Sequence, residues 1–419
     1  MYVVMRSKSI PMSVRWPFLL FVSAIPFESL YVAPSLSVAR VVGVFFFGCY
    51  LLFYGPLLGK KSWPRPHPAV WWFLGYLAVY SMSALFIDPQ FTGEILVFVV
   101  TYLQLVVFLW ITPDLLKNQK MGESVLLAYT MSAAYLALGT LFGLPGIEVQ
   151  TGLDGRISAI GQNANSLAGM MALAILIIIS LCIRKSFKHF LSRILLSALI
   201  LPLLLAIVKT GSRGGTLVVL SGFLVYLLPY RRSKRAVAVM ILTICGIGVL
   251  LYLIATEPLM TKRWQRAQEG DLATRQSTIP AALEMSIERP LFGWHPVEFR
   301  YELGARVGQG GEIADPHNLL ASLLAEVGIA GTIPFCIGLW LCFLAAWTAR
   351  RGDLGLMPLS LMVGVLIMHQ SGPNVTWKPF WLVMGLTLAA ASTAVMKRAR
   401  YRRIFLVHAL LKRDVLRAT

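Results

Sequence analysis

Three arginines and one histidine stand where the surrounding residues make charge expensive. Arg213 lies in KTGSRGGT, a short turn between apolar stretches that end near Val208 and resume at Leu217. An arginine at membrane depth costs about 2.5–3.5 kcal/mol at a helix centre, so it calls for a partner. Gly211, Gly214 and Gly215 let the backbone bend and bring its N–H groups toward an anion at a helix start. The planar, permanently charged guanidinium matches phosphate oxygens; the competing reading is an arginine snorkelling to headgroups. Arg156 lies in DGRISAIGQNANSLAG, where a polar segment runs into an apolar one. It can bind an anion with Asn163 and Asn165, or pair with Asp154 while the asparagines cap the helix. Arg275 opens RQSTIPAALEM, with Lys262, Arg263 and Arg266 close by as alternatives; of these, Arg266 is taken with the substrate-binding set.

His317 follows an Asp-Pro pair in ADPHNLLASLLAEVGIAG, at the mouth of an apolar stretch. A neutral imidazole, titrating near ~6.5, accepts a proton from a hydroxyl at working pH. General-base assistance of that kind is worth about 10² to 10⁴ in rate. Asn318 beside it joins the binding set. No Asp-x-Asp occurs and the acids Asp88, Asp154 and Asp315 are scattered, so no metal site or other cofactor is expected. The arginines would then neutralise any phosphate leaving group.

These groups must be held by a membrane scaffold. The 419 residues are 57% hydrophobic and 14% charged, with mean hydropathy +0.71, which excludes an ordinary soluble domain. A spanning helix needs about 20 apolar residues. Twelve stretches qualify, near 16–32, 36–58, 69–87, 93–112, 122–142, 164–183, 190–208, 214–229, 236–256, 328–349, 354–370 and 376–396. The first, with Pro17, Pro26 and Glu28, is the weakest and reads as an uncleaved signal anchor.

Net charge is +19, but 26 of the 38 lysines and arginines fall in the segments that lie inside if both termini are cytoplasmic. The positive-inside rule therefore sets the orientation and removes a nucleic-acid reading. Residues 1–256 hold spans one to nine, 257–316 a periplasmic loop, 317–396 spans ten to twelve, and 397–419 a basic cytoplasmic tail. That tail reads as an amphipathic surface helix or as topology-setting charge. Cys49, Cys182, Cys245, Cys336 and Cys342 lie in apolar spans and read as packing residues. Within the long loop, Ile279, Leu283 and Ile287 repeat every four residues, which predicts a helix over 274–288 with that stripe against an apolar surface, stopped by Pro290. Residues 304–311 (GARVGQGG) read as a mobile loop.

The motifs RISAIGQNANSLAG, GSRGG, TRQSTIPAALEMSIERPLFGW and PHNLLASLLAEVGIAG, in that order over roughly 156–331, resemble the O-antigen ligase and polymerase superfamily. The resemblance implies an all-α polytopic, GT-C-like membrane glycosyltransferase that acts without metal at the periplasmic face of the inner membrane. It implies an undecaprenyl diphosphate-linked O-antigen donor and a lipid A-core acceptor, among membrane lipids. The superfamily's essential histidine maps onto His317, and its arginines onto Arg213, Arg275 and Arg156. His295 stands where members often carry Gly and is a poor second candidate for the base. Within the superfamily the alternatives are an O-antigen polymerase and a protein O-oligosaccharyltransferase. From another class, the rival is a transporter or lipid-linked sugar flippase, against which stand few intramembrane charges and no inverted repeat.

Overall fold

The computed structural model describes residues 10–33, 36–55, 63–152, 155–183, 190–228, 234–270, 274–308, 313–372 and 375–418. Asp154, the basic loops at 56–62, 184–189 and 229–233, and residues 309–312 of the GARVGQGG segment lie outside them, as do the tail's side chains from 400 on.

The architecture is helical, with two short two-stranded ribbons (Tyr31–Ala33 with Leu36–Ser37, Val149–Thr151 with Ile157–Ala159) on the connections. Among the described residues, six helices are long and apolar enough to cross a membrane: Pro89–Leu116, Gln119–Phe142, Ala164–Ile183, Leu191–Lys209, Leu319–Ala349 and Lys378–Ala399. A seventh arises if Thr243–Thr256 and Pro258–Gln268, bent by 89° at their junction, count as one. Met12–Phe27, Val38–Phe53, Arg213–Leu227 and Met357–Met368 are shorter apolar helices. The protein is thus a polytopic membrane protein of helices unequal in length.

Ala164–Ile183 occupies the centre. Its residues are apolar on every side, so no face suits contact with lipid alone, and nearly all of it is buried. Small residues bring its neighbours close, as TM helices need when apolar burial alone cannot drive association. A Cβ at Gly215 would stand 2.5 Å from that of Ala168, and one at Gly222 would stand 2.5 Å from Leu176. The Arg213–Leu227 helix therefore lies hard against the central one, and its N-terminus is fixed in place.

The long connection is folded. Pro258–Gln268, Arg275–Glu288 and Pro296–Arg306 are helices. Ala282, Met285, Phe299, Leu303 and Ala314 form a small core with Ala321 and Ala325 of the following helix. One expectation is corrected here. The 275–288 helix ends before Pro290 as expected, with Thr278, Ala282 and Met285 buried, Ile279 packed against the small core, and Leu283 and Ile287 42% and 77% exposed. Small side chains let this helix approach Ala321 and Ala325 closely. Residues 304–306, expected in a mobile loop, are helical because Arg306 is held by Glu288 (2.6 Å) and Glu302 (2.8 Å).

The expected span from 328 begins earlier, at Leu319, and breaks at Gly328 (φ 59°, ψ −166°), a region open essentially to glycine alone. The break frees backbone groups that the incoming segment pairs. Trp294 and His295 N–H donate to the carbonyls of Ala325 and Glu326, both at 2.8 Å. Ile329 and Ala330 N–H donate to Pro290 (2.8 Å) and Leu291 (3.0 Å). A side chain at Gly328 would run into the Leu291 backbone. The long connection is stitched into the middle of a helix, which fixes where its N-terminal half must lie.

Candidate active site

The turn at Gly211 (φ 63°) leads to Ser212, whose hydroxyl accepts from Gly215 N–H (3.1 Å) and caps the helix that Arg213 begins. Arg213 Nη1 donates to the Arg263 carbonyl at 3.2 Å. A Cβ at Gly214 would collide with the Ser371 hydroxyl. The glycines therefore serve close packing as well as backbone bending, and they bring three separate chain segments together at Arg213.

Arg156 enters from the second ribbon. Its Nε donates to the Thr210 carbonyl (3.1 Å) and its Nη2 to Asn165 Oδ1 (2.8 Å). Asn165 Nδ2 in turn donates to the Ser371 carbonyl at 2.9 Å. Asn163 Oδ1 accepts from Asn165 N–H at 2.8 Å, which is the capping reading, while Asn165 is a bridge rather than a cap. Arg275, first residue of its helix, donates from Nη2 to that same Ser371 carbonyl at 2.9 Å. Burial first, then the neighbouring Arg213 and Arg263 guanidiniums, push Arg275 below the usual arginine range, with Asp315 opposing. It remains a cation. Ser371 lies just past the C-terminus of Met357–Met368, where a helix presents partial negative charge, and this offsets part of the crowding.

His317 has φ 51°, strained for a side chain of that size. Asp315 holds it there, its Oδ1 accepting His317 N–H at 2.7 Å and lying 3.5 Å from Nδ1. Nδ1 is buried, and the ring as a whole is about a quarter exposed. The next turn is pinned from the other side, since Leu319 N–H donates to the His369 carbonyl at 3.0 Å.

The result is a cavity of 160 Å³ lined by Arg156, Asn163, Asn165, Arg213, Gly214, Arg263, Thr274, Arg275 and His317. Four guanidiniums and one imidazole share it, with no carboxylate among the lining residues. Such a space can take a multiply charged oxyanion next to a proton acceptor.

Six of the eight residues selected from the sequence meet here; Arg266 and Asn318 do not. Arg266 is exposed on the Pro258–Gln268 helix, while Arg263, three residues earlier, reaches the cavity. Asn318 is a helix cap: Oδ1 accepts from Ala321 N–H (3.0 Å) and Nδ2 donates to Gln370 Oε1 (2.9 Å). Asp315 was missed, although its place two residues before His317 is the spacing of an Asx turn. Ser371 was missed because a backbone carbonyl leaves no mark in a sequence. His295 lies elsewhere, buried against Tyr80 with ring centroids 4.7 Å apart, its Nδ1 accepting from Val297 N–H (3.3 Å). Burial pushes it down to about 4.

Residues 198–336 match a family model described as O-Antigen ligase, which bears out the resemblance carried by the motifs. None of the curated proteins compared with the chain matches it. The matched stretch contains Arg213, Arg263, Arg275 and His317, while Arg156, Asn163 and Asn165 reach the cavity from outside it.

Proposed function

We propose that this chain, similar to the O-antigen ligases over residues 198–336, moves O-antigen from undecaprenyl diphosphate to a sugar hydroxyl of lipid A-core. The observation that carries the reading is the cavity itself: four guanidiniums around one histidine whose ring is backed by a carboxylate. Nδ1 is buried, 3.5 Å from Asp315 Oδ1, and Nε2 is assigned as the base. The acceptor hydroxyl gives its proton to Nε2 as its oxygen bonds to the anomeric carbon. The bond from that carbon to the diphosphate oxygen breaks, and the electron pair leaves with the diphosphate. Attack opposite the leaving group inverts the anomeric centre.

Charge develops on the leaving oxygen, and preoriented cations stabilise it in the transition state more than in the ground state. Arg156, Arg213, Arg263 and Arg275 supply that charge, so the reaction as proposed is metal-independent. The distribution of basic residues supports both termini cytoplasmic and the cavity periplasmic, and the resemblance implies a GT-C-like arrangement, here of twelve spans, in the inner membrane.

The test is reconstitution with a labelled lipid-linked donor and a lipid A-core acceptor. His317→Ala loses transfer by about 10² to 10⁴ while the protein still accumulates in the membrane, and Arg213→Ala loses donor use. Full turnover by the His317 variant overturns the mechanism. A deletion strain that keeps polymer on its lipid carrier but leaves lipopolysaccharide uncapped identifies a ligase; absence of the polymer identifies a polymerase instead.

A further inference from the structure

A second cavity, remote from His317 in its lining, separates the Val38–Phe53 helix from the Thr92–Leu116 helix. It measures 190 Å³, and its walls are apolar, among them Phe21, Val44, Phe47 and Phe108. Two cations, Arg40 and Lys378, close one end. Arg40 Nη2 donates to Thr101 Oγ1 at 2.8 Å. Lys378 Nζ lies 3.4 Å from Glu28 Oε2.

Three facts identify what fits. Arg40 is two residues into its helix, about 20 Å from the far end at 1.5 Å per residue, against a hydrocarbon layer of about 30 Å. Its guanidinium therefore sits toward the headgroup edge. Val44 and Leu103 in its lining are 56% and 47% exposed, so the crevice opens sideways along the surface that meets lipid. The space falls below the about 300–1,000 Å³ of a site that encloses a small molecule, and suits part of one hydrocarbon chain. Apolar walls topped by a cationic end complement an amphipath with an anionic head.

We propose that this crevice binds an anionic phospholipid of the bilayer, its phosphate at Arg40 and Lys378 and one acyl chain between the two helices. The site stands independently of the glycosyl-transfer reading. The crevice lies on the face that carries the cationic cavity, because Gln162 at the base of that cavity's ribbon donates to the Pro26 carbonyl (2.6 Å), two residues before Glu28. Ser371 and Lys378 are seven positions apart in the chain, at most about 24 Å when extended. A lipid held here touches the helix that continues directly from the segment anchoring Arg275 and Asn165.

The experiment is native mass spectrometry of the full chain released from nanodiscs of phosphatidylglycerol, of phosphatidylcholine, or of phosphatidylcholine doped with undecaprenyl phosphate, with inorganic phosphate as a further probe. Phosphatidylglycerol is expected to be retained about tenfold over phosphatidylcholine. Arg40→Gln, which keeps a donor for Thr101, should remove that preference, and Arg40→Lys should restore most of it. Equal retention of phosphatidylcholine, or equal binding of inorganic phosphate, overturns the site. Tighter retention of undecaprenyl phosphate overturns its assignment to a phospholipid. An Arg40→Gln protein that keeps the preference overturns the role of Arg40.

Discussion

Asn165 offers the sharpest separation between a residue that merely holds structure and one that faces an anion. It joins Arg156 to the Ser371 carbonyl through two hydrogen bonds of 2.8 and 2.9 Å. Asn165→Ala removes both. The Arg156 bond is charge-assisted, a kind worth about 1.5–3 kcal/mol, so donor affinity should fall about 10- to 100-fold as that guanidinium loses its bearing. Asn165→Asp is the informative partner. A carboxylate keeps and strengthens the contact with Arg156 but has no N–H to give the Ser371 carbonyl and sets a charged oxygen against it. The salt dependence of the Asp deficit, rather than its rank alone, therefore separates a purely structural account from an anion-facing one. The carboxylate also places a negative charge on the cavity wall. At about 7 Å from a diphosphate and an effective dielectric near 20, one unit charge costs about 2.4 kcal/mol per phosphate charge, roughly fiftyfold. The expected order of kcat/KM is thus wild type, then Ala, then Asp, with the Asp deficit shrinking at high salt. Initial transfer rates across a range of donor concentrations decide it. If Asn165→Asp equals or exceeds Asn165→Ala, the cavity does not hold an anion beside this residue.

Arg263→Ala should lower transfer at least about tenfold, as loss of one charge-assisted contact requires, whereas Arg266→Ala should stay within about twofold; matched rates for the pair would refute the assignment of cavity-lining cations. His295 gives a stability signature. Burial holds its folded value at about 4, below the unfolded ~6.5, so the unfolded chain takes up the proton first as pH falls. The stabilisation is complete above about 6.5 and is lost between there and about 4, roughly 3 kcal/mol in all. Melting curves from pH 7 to 4.5 should fall for the wild type and flatten for His295→Gln; parallel curves would contradict a neutral buried ring. Gly328→Ala combines a forbidden φ/ψ with a backbone collision and should cost at least about 3 kcal/mol, seen as a lower Tm and faster proteolysis at 289–295. Wild-type resistance in that variant would mean the crossing can rearrange.

Much of this cavity was legible because charge in apolar sequence has few explanations. Arg213 and Arg156 stood against long apolar runs, and a histidine at a helix mouth is conspicuous, so these three were found from residue type and place. The choice between Arg263 and Arg266 was not legible: they are three residues apart on one helix, and the 89° bend before Pro258 decides which one meets the cavity. The 275–288 helix was placed correctly, but its contact with Ala321 and Ala325 was not legible, since periodicity marks a stripe of large apolar residues while close packing selected Ala282. Arg40 drew no attention because its segment reads as an ordinary span; only the gap beside Thr92–Leu116 gives it meaning.

One cation of the cavity, Arg275, and the Asn165 amide that holds a second, Arg156, are tethered to a single peptide oxygen, that of Ser371. No replacement of the Ser371 side chain deletes that acceptor, so an alanine scan will pass over the point where Arg275 and Asn165 converge. Backbone chemistry can reach it: an ester in place of the amide joining Ser371 to Gly372 lowers the basicity of the carbonyl and leaves every side chain intact. The position can accordingly lose its hydroxyl while remaining intolerant of any shift in the path of the chain.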